Sequence, residues 1–323
     1  MADVSNADFM QLRETLRAQG CFNTAPWRSL ASLVVHVVIS AALFTLSTQV
    51  AWWLAAPVFL LASLMFYRLG WIMHDAAHGG VFETARANRV LASVAAGVLG
   101  EFPSGWRWGH NRHHAAPNVK GKDLDQAERW DPSRRYHSLL TAAVGLLLFS
   151  RFKGVILPKT LFLLGLRDGV ICYRYVRAAF VRELVASLLG LAAQTAGMVF
   201  LFGAWGAPLV LAHTVVGMLY LNTVFAGNHY DLPAFSVEEA DKIDFAALQI
   251  RTTRNYPAGV VGRFIYGGLE NHIEHHLFPA MPRHQLRRAA PAVQAYCAAH
   301  GLAYNTLPFT QSVMRVLRFH LVT

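Results

Sequence analysis

The sequence predicts an all-α integral membrane protein in which four transmembrane helices carry a cytoplasmic helical cap, with a histidine-rich metal site in that cap. Three observations lead there. The apolar fraction is 54% and the mean hydropathy +0.32, above what a soluble domain shows. Several stretches run for the roughly 20 mainly apolar residues that cross a bilayer. Histidine occurs 15 times, and eight of those fall in three short clusters.

Residues 7–22 place Phe9, Leu12 and Leu16 near one helical face, with Arg13, Glu14 and Arg17 elsewhere. This is a short amphipathic helix, either at the membrane surface or as a plain N-terminal helix. The first 25 residues carry acids and no apolar run after a basic start, so no cleaved signal peptide is expected. From Leu30 to Phe66 the chain is almost uncharged, enough for two spans at about 30–48 and 50–68 joined near Ser47-Thr48-Gln49. His74 follows within about two turns, so the first cluster sits where the helix leaves the lipid. The patch Val90 to Leu99 is too short to span, and residues 79–138 form a water-exposed lobe. Residues 139–167, broken by Arg151, Lys153, Pro158 and Lys159, suit interfacial or buried helices. Two further spans follow at about 183–203 and 207–227, with the turn Gly203 to Pro208 between them.

Both outer connections, Ser47 to Gln49 and Gly203 to Pro208, lack Lys and Arg, whereas the N-terminus, central lobe and C-terminus hold them. The positive-inside rule then places both termini in the cytoplasm. The expected organisation is one membrane domain over 1–323, with cytoplasmic lobes 69–182 and 228–323 and all three clusters on one side. The net charge of +10 is explained by this topology and by anionic membrane lipids, because no free basic arm suited to nucleic acid exists. Cys21, Cys172 and Cys297 form no C-x-x-C pair, so neither a disulfide framework nor a thiolate metal site is indicated.

The clusters are His74-Asp75-Ala76-Ala77-His78, His110-Asn111-Arg112-His113-His114, and the run Gly267-Gly268-Leu269-Glu270-Asn271-His272-Ile273-Glu274-His275-His276-Leu277-Phe278-Pro279. Residues three and four apart share a helical face, so each cluster aims two or three imidazoles at one point. Imidazole alone does not choose among iron, zinc, copper and nickel. A structural zinc closes its shell with four ligands, so eight histidines are too many for one ion and enough for two. A pair of irons with open positions for dioxygen uses them all, making the cap the seat of a di-iron site. His229, expected where the fourth span emerges, is the candidate ninth ligand, and Asn228 beside it a candidate to contribute an amide oxygen or hold water. Asp75 and Glu274 are placed to accept the outer N–H of a ligating imidazole, and His284 lies close enough to the third cluster for a similar supporting role. Trp106 and Trp108 are candidates to line an acyl slot or to anchor the lobe at the interface. His36 and His213, within spans, suit helix–helix contacts, and His137, His300 and His320 the surface.

The three boxes in this order, with four spans, resemble the membrane fatty acid desaturase superfamily from about residue 60 to 290. Gln249-Ile250-Arg251-Thr252-Thr253-Arg254-Asn255, the Gly267 to Pro279 run and Met281-Pro282-Arg283-His284 look like its acyl-lipid group, which includes front-end desaturases. The resemblance implies a non-haem di-iron centre held by His74, His78, His110, His113, His114, His272, His275 and His276, with His229 where many members supply another ligand. It implies dioxygen as co-substrate, two external electrons per turnover, and a fatty acyl lipid or thioester as substrate. Front-end members usually carry Gln where this chain has His272, and many carry a fused cytochrome b-type domain whose His-Pro-Gly-Gly signature is not found here. Electrons are therefore expected from a separate ferredoxin or cytochrome b-type donor with its reductase, and the Ala and Arg content fits a bacterial inner membrane. Hydroxylase, acetylenase and carotenoid ketolase are rivals on the same scaffold. A membrane metal transporter is a rival of another class, although it would place its ligands near the bilayer midplane.

Overall fold

The computed structural model describes residues 6–101, 103–123, 125, 136–145, 177–319 and 321. Residues 146–176, with Cys172 and most of the expected interfacial helices, lie outside them, as does His320. The described residues are helical, with only isolated bridges and no strand. In chain order the helices are α1 (Asn6–Ala18), α2 (Pro26–Ser47), α3 (Trp52–Tyr67), α4 (Leu69–Ala77), α5 (Ala85–Leu99), α6 (Pro103–Ala115), α7 (Leu139–Ala143) and α8 (Arg177–Phe202). They continue as α9 (Gly206–Ala226), α10 (Val237–Ala240), α11 (Phe245–Thr252), α12 (Val260–Tyr266), α13 (His272–Leu277), α14 (Arg283–Ala299) and α15 (Phe309–Phe319).

The chain divides into two compact units, one of Ala25–Arg107 and Leu147–Asn222, the other of Met1–Thr24, Trp108–Leu146 and Thr223–Thr323. Among the described residues three stretches are long and apolar enough to cross a membrane: Pro26–Ser47, Trp52–Ala77 and Arg182–Phe225. The last is 44 residues long and is interrupted by a 3-10 turn, Gly203–Trp205. Gly203, at φ 59°, takes a left-handed conformation that is cheap only without a Cβ, so α8 ends there and α9 begins anew. Their outward faces are apolar, with Phe200 87% and Leu211 67% exposed, as lipid contact requires. Trp52 and Trp205 stand exposed beside the two short connections, where amphipathic rings favour the headgroup level.

Inside the first unit Phe44, Phe59, Ala62, Met198 and Val210 bury one another. Two polar pairs within the spans are hydrogen-bonded: His213 Nδ1 lies 3.0 Å from Ser63 Oγ, and Arg68 Nε donates to His36 Nε2 at 2.8 Å. Both span histidines thus make helix–helix contacts, the arrangement expected of them. The patch around Val90 is an amphipathic helix, α5, started by Thr84 accepting from the Ala87 amide and ended by left-handed Gly100. It packs closely on α8, for a Cβ at Gly190 would run into the Gly97 carbonyl.

In the second unit, α1 turns Leu12 and Leu16 into a core with Ile250, Ile273, Leu277 and Phe278, and Phe9 stacks on Phe278 at 5.4 Å. Its apolar stripe is therefore spent on protein behind α13, in place of the membrane surface.

Candidate metal centre

Box 1 lies on α4, in the span-bearing unit. His74 and His78, four residues apart, bring their rings to 4.7 Å between centroids. The helix stops just after them because Gly79 turns to φ 83° and the Gly80 amide reaches back to the Asp75 carbonyl at 2.9 Å, a helix ending that glycine makes cheap. Asp75 Oδ1 lies 3.4 Å from His74 Nδ1, at the edge of hydrogen-bond range. Trp106 packs its ring 5.4 Å from His74 and 5.9 Å from His78, beside Met73, Ala95 and Ala96. The side chain of Trp108 lies outside what is described.

The other two boxes and His229 share the second unit. His110, His113 and His114 project from α6; His272, His275 and His276 from α13; His229 follows α9 by three residues. All seven are buried, none more than 6% exposed. Box 3 is reached through Gly267 and Gly268, both at positive φ, and a Cβ on Gly268 would strike the Arg283 side chain. Pro279 then stops the helix, since the residue before proline is driven out of the helical region.

The ring nitrogens converge. His113 Nε2 lies 3.2 Å from His229 Nε2, which lies 2.9 Å from His272 Nε2, and His110 Nε2 is 3.2 Å from His114 Nε2. Ligand atoms of His113, His229 and His276 all fall within 4.8 Å of one another, as do those of His110 and His275. The outer nitrogens meet acceptors: His113 Nδ1 faces Asp123 at 2.9 Å, His110 Nδ1 faces Asp125 at 2.5 Å, and His229 Nδ1 faces the Thr252 carbonyl at 2.8 Å. A carbonyl or carboxylate only accepts, so those Nδ1 atoms carry the protons and the Nε2 atoms present lone pairs.

Such a donor set fits a metal. Two lone pairs about 3 Å apart repel unless a cation stands between them. Imidazole nitrogens bonded at about 2.1 Å along right-angled directions to one ion also sit about 3 Å apart. The donors are neutral nitrogens, which suit first-row transition metals including iron. Burial holds His276 well below the ordinary imidazole pKa, and the surrounding imidazoles add to that, so it stays neutral as a ligand must. For His113, burial alone would lower the pKa, but the adjacent Asp123 carboxylate leaves it raised.

Three sequence candidates for supporting roles sit elsewhere. Both Glu274 oxygens are held away from the imidazoles, Oε1 by the Tyr304 hydroxyl at 2.7 Å and Oε2 by Asn255 Nδ2 at 2.8 Å; burial raises its pKa. The expected imidazole contact of Glu274 is thus replaced by an anchor to neighbouring loops. Asn228 is a clamp, its amide donating to the Arg254 carbonyl at 3.0 Å while its oxygen accepts from Tyr256 at 2.9 Å. His284 is exposed on the first turn of α14. Conversely, sequence reasoning missed Asp123, Asp125 and Gln249. Asp123, fully buried, also accepts the Asn118 and Asp125 amides at 2.7 and 3.0 Å. For the two aspartates the only signal was an Asp-x-Asp about one loop beyond box 2, whereas Gln249 opens the Gln249 to Asn255 run quoted for the family resemblance without any role assigned to it.

Comparison with known proteins supplies the family. The fatty acid desaturase family model matches residues 51–308. The Delta(5) fatty acid desaturase of Caenorhabditis elegans is 30% identical over 93% of this chain and 70% of its own length. An acyl-lipid (9-3)-desaturase of Physcomitrium patens is 29% identical over 96% of this chain, which spans 61% of that relative. The Delta(8)-fatty-acid desaturase of Euglena gracilis is 26% identical over 97% of the chain and 77% of its own length. The chain belongs to the fatty acid desaturase family and is an oxidoreductase of the fatty acyl desaturase class.

Proposed function

We propose that this protein inserts a double bond into a membrane-associated fatty acyl chain, in a dioxygen-dependent reaction at two non-haem irons. The observation that carries the proposal is the convergence of buried imidazole nitrogens whose outer nitrogens are committed to acceptors. His110, His113, His114, His229, His272, His275 and His276 would hold the metal together with His74 and His78. Bound iron would supply oxygen activation strong enough to remove hydrogen from an unactivated methylene. The protein's own work is positional. Asp123 and the Thr252 carbonyl keep protons on Nδ1 of His113 and His229, so that Nε2 is available to a cation. Burial keeps bulk water from the reacting carbons.

Trp106, packed on both box 1 imidazoles, is the residue proposed to bound the acyl slot near the metal. Four spans, two of them α8 and α9, with both termini and the site cytoplasmic, follow from the uncharged outer connections. A bacterial inner membrane fits that arrangement. The two electrons would come from a separate ferredoxin or cytochrome b-type protein. Relatives named for Delta(5) and Delta(8) activity make the carboxyl-proximal part of the acyl chain the region to inspect first.

Expression of the full chain in a heterologous host, followed by mass spectrometry of its fatty acids and lipid classes with and without oxygen, tests the proposal. A product lighter by two hydrogens and dependent on oxygen is expected. An oxygenated product would transfer the chain to the hydroxylase or ketolase reading, and an oxygen-independent product would exclude the mechanism.

A further inference from the structure

Gln249 is fully buried on α11 and touches both of the boxes in its unit. Its Nε2 donates to the backbone carbonyl of His114 at 2.9 Å, and its Oε1 lies 2.9 Å from His276 Nδ1. The two ends of a side-chain amide have nearly the same shape, and only their partners decide which end is which. Here they do. The His114 carbonyl accepts and never donates, so the amide nitrogen must face it, which leaves the amide oxygen facing His276. That oxygen also only accepts, so the proton of His276 sits on Nδ1 and the lone pair on Nε2. His276 Nε2 is buried with no hydrogen-bond partner among the described residues, and it belongs to the triad with His113 and His229.

We infer that Gln249 is a positioning residue for the metal: one amide selects the ligating nitrogen of box 3 and ties it to the backbone of box 2. The inference rests on the metal-site reading above. Where Asp123 and Asp125 serve His113 and His110 with a negative charge, Gln249 serves His276 with a neutral dipole. It orients the ring without adding charge to the site. Because its other end holds the His114 carbonyl, an error in the amide displaces two boxes together.

The test compares wild type, Q249L and Q249E as full chains in detergent, loaded with iron(II) and challenged with a graded chelator, with helical content by circular dichroism alongside. Supporting groups of this kind are worth about 10–100-fold in metal affinity. Q249L should release metal about 10–100-fold more readily while keeping its helices. Q249E, whose carboxylate still accepts from His276 but no longer donates to His114, should recover part of that loss. Equal impairment of the two variants, which mere packing would produce, overturns the inference, and so does wild-type retention by Q249L. Wild type that binds no iron would refute the metal reading itself.

A second measurement needs no folded Q249L. In zinc-loaded, 15N-histidine-labelled wild type, with the His276 resonances assigned by their loss in H276N, couplings should report Nδ1–H. A proton on Nε2 of His276 would contradict the inference.

Discussion

At the scale of single residues, the imidazoles were legible and their partners were not. Histidines at i, i+3 and i+4 advertise a shared helical face from sequence alone, and each cluster does present one. Asp123, Asp125 and Gln249 lie 10, 15 and 27 positions from the histidines they serve, and no periodicity links such residues before the chain folds. Glu274 failed for the opposite reason: being inside the box suggested a contact, but its position on α13 turns it away toward Tyr304 and Asn255. Asp123 gives the sharpest residue-level expectation. Its oxygens receive the His113 ring N–H and two backbone amides, so D123N sets an amide donor against donors. Metal affinity should fall about 10–100-fold, measured by chelator competition, whereas K122Q on the exposed neighbouring position should leave it unchanged.

At the scale of elements, bilayer thickness made the long helices readable, since about 20 apolar residues in a row have few alternatives. The stretches expected as spans at about 30–48, 50–68, 183–203 and 207–227 fall on the helices α2, α3, α8 and α9, and among the described residues three stretches, the last holding both α8 and α9, are long and apolar enough to cross a membrane. The fate of α1 was not readable, because an amphipathic stripe looks the same whether it meets lipid or protein. How closely α5 approaches α8 depends on glycine. G190A should force the two backbones apart and lower thermal stability, while G197A on the same helix, with nothing within 4 Å, should be neutral or gain up to about 1 kcal/mol from helix propensity. Melting curves in detergent compare them directly. The six-residue α13 is too short to hold itself, and its anchor is the Glu274, Tyr304 and Asn255 group. Y304F should cost about 1–3 kcal/mol by leaving a buried carboxylate short of a donor, read from the same melts.

For the whole molecule, the side of the membrane on which the boxes open is a proposal that rests on charge distribution, because helix length says nothing of it. Single cysteines introduced as Gln49→Cys and Ala204→Cys should label with an impermeant thiol reagent from outside, and His300→Cys only after permeabilisation. Cys21 and Cys297 are buried, which keeps the background low once Cys172 is replaced. Labelling of the Ala204→Cys variant from the cytoplasmic side would break the four-span arrangement and with it the common side of the boxes.

The claim beneath all of this is that buried histidines from separate boxes form one metal site. Iron content of the purified full chain tests it most directly, compared with the double variant H113A/H276A. Wild type should hold about two irons per chain and the double variant about one or fewer, because two of the converging donors are gone. Wild type with well under one iron, or a double variant that keeps its full complement, would contradict it.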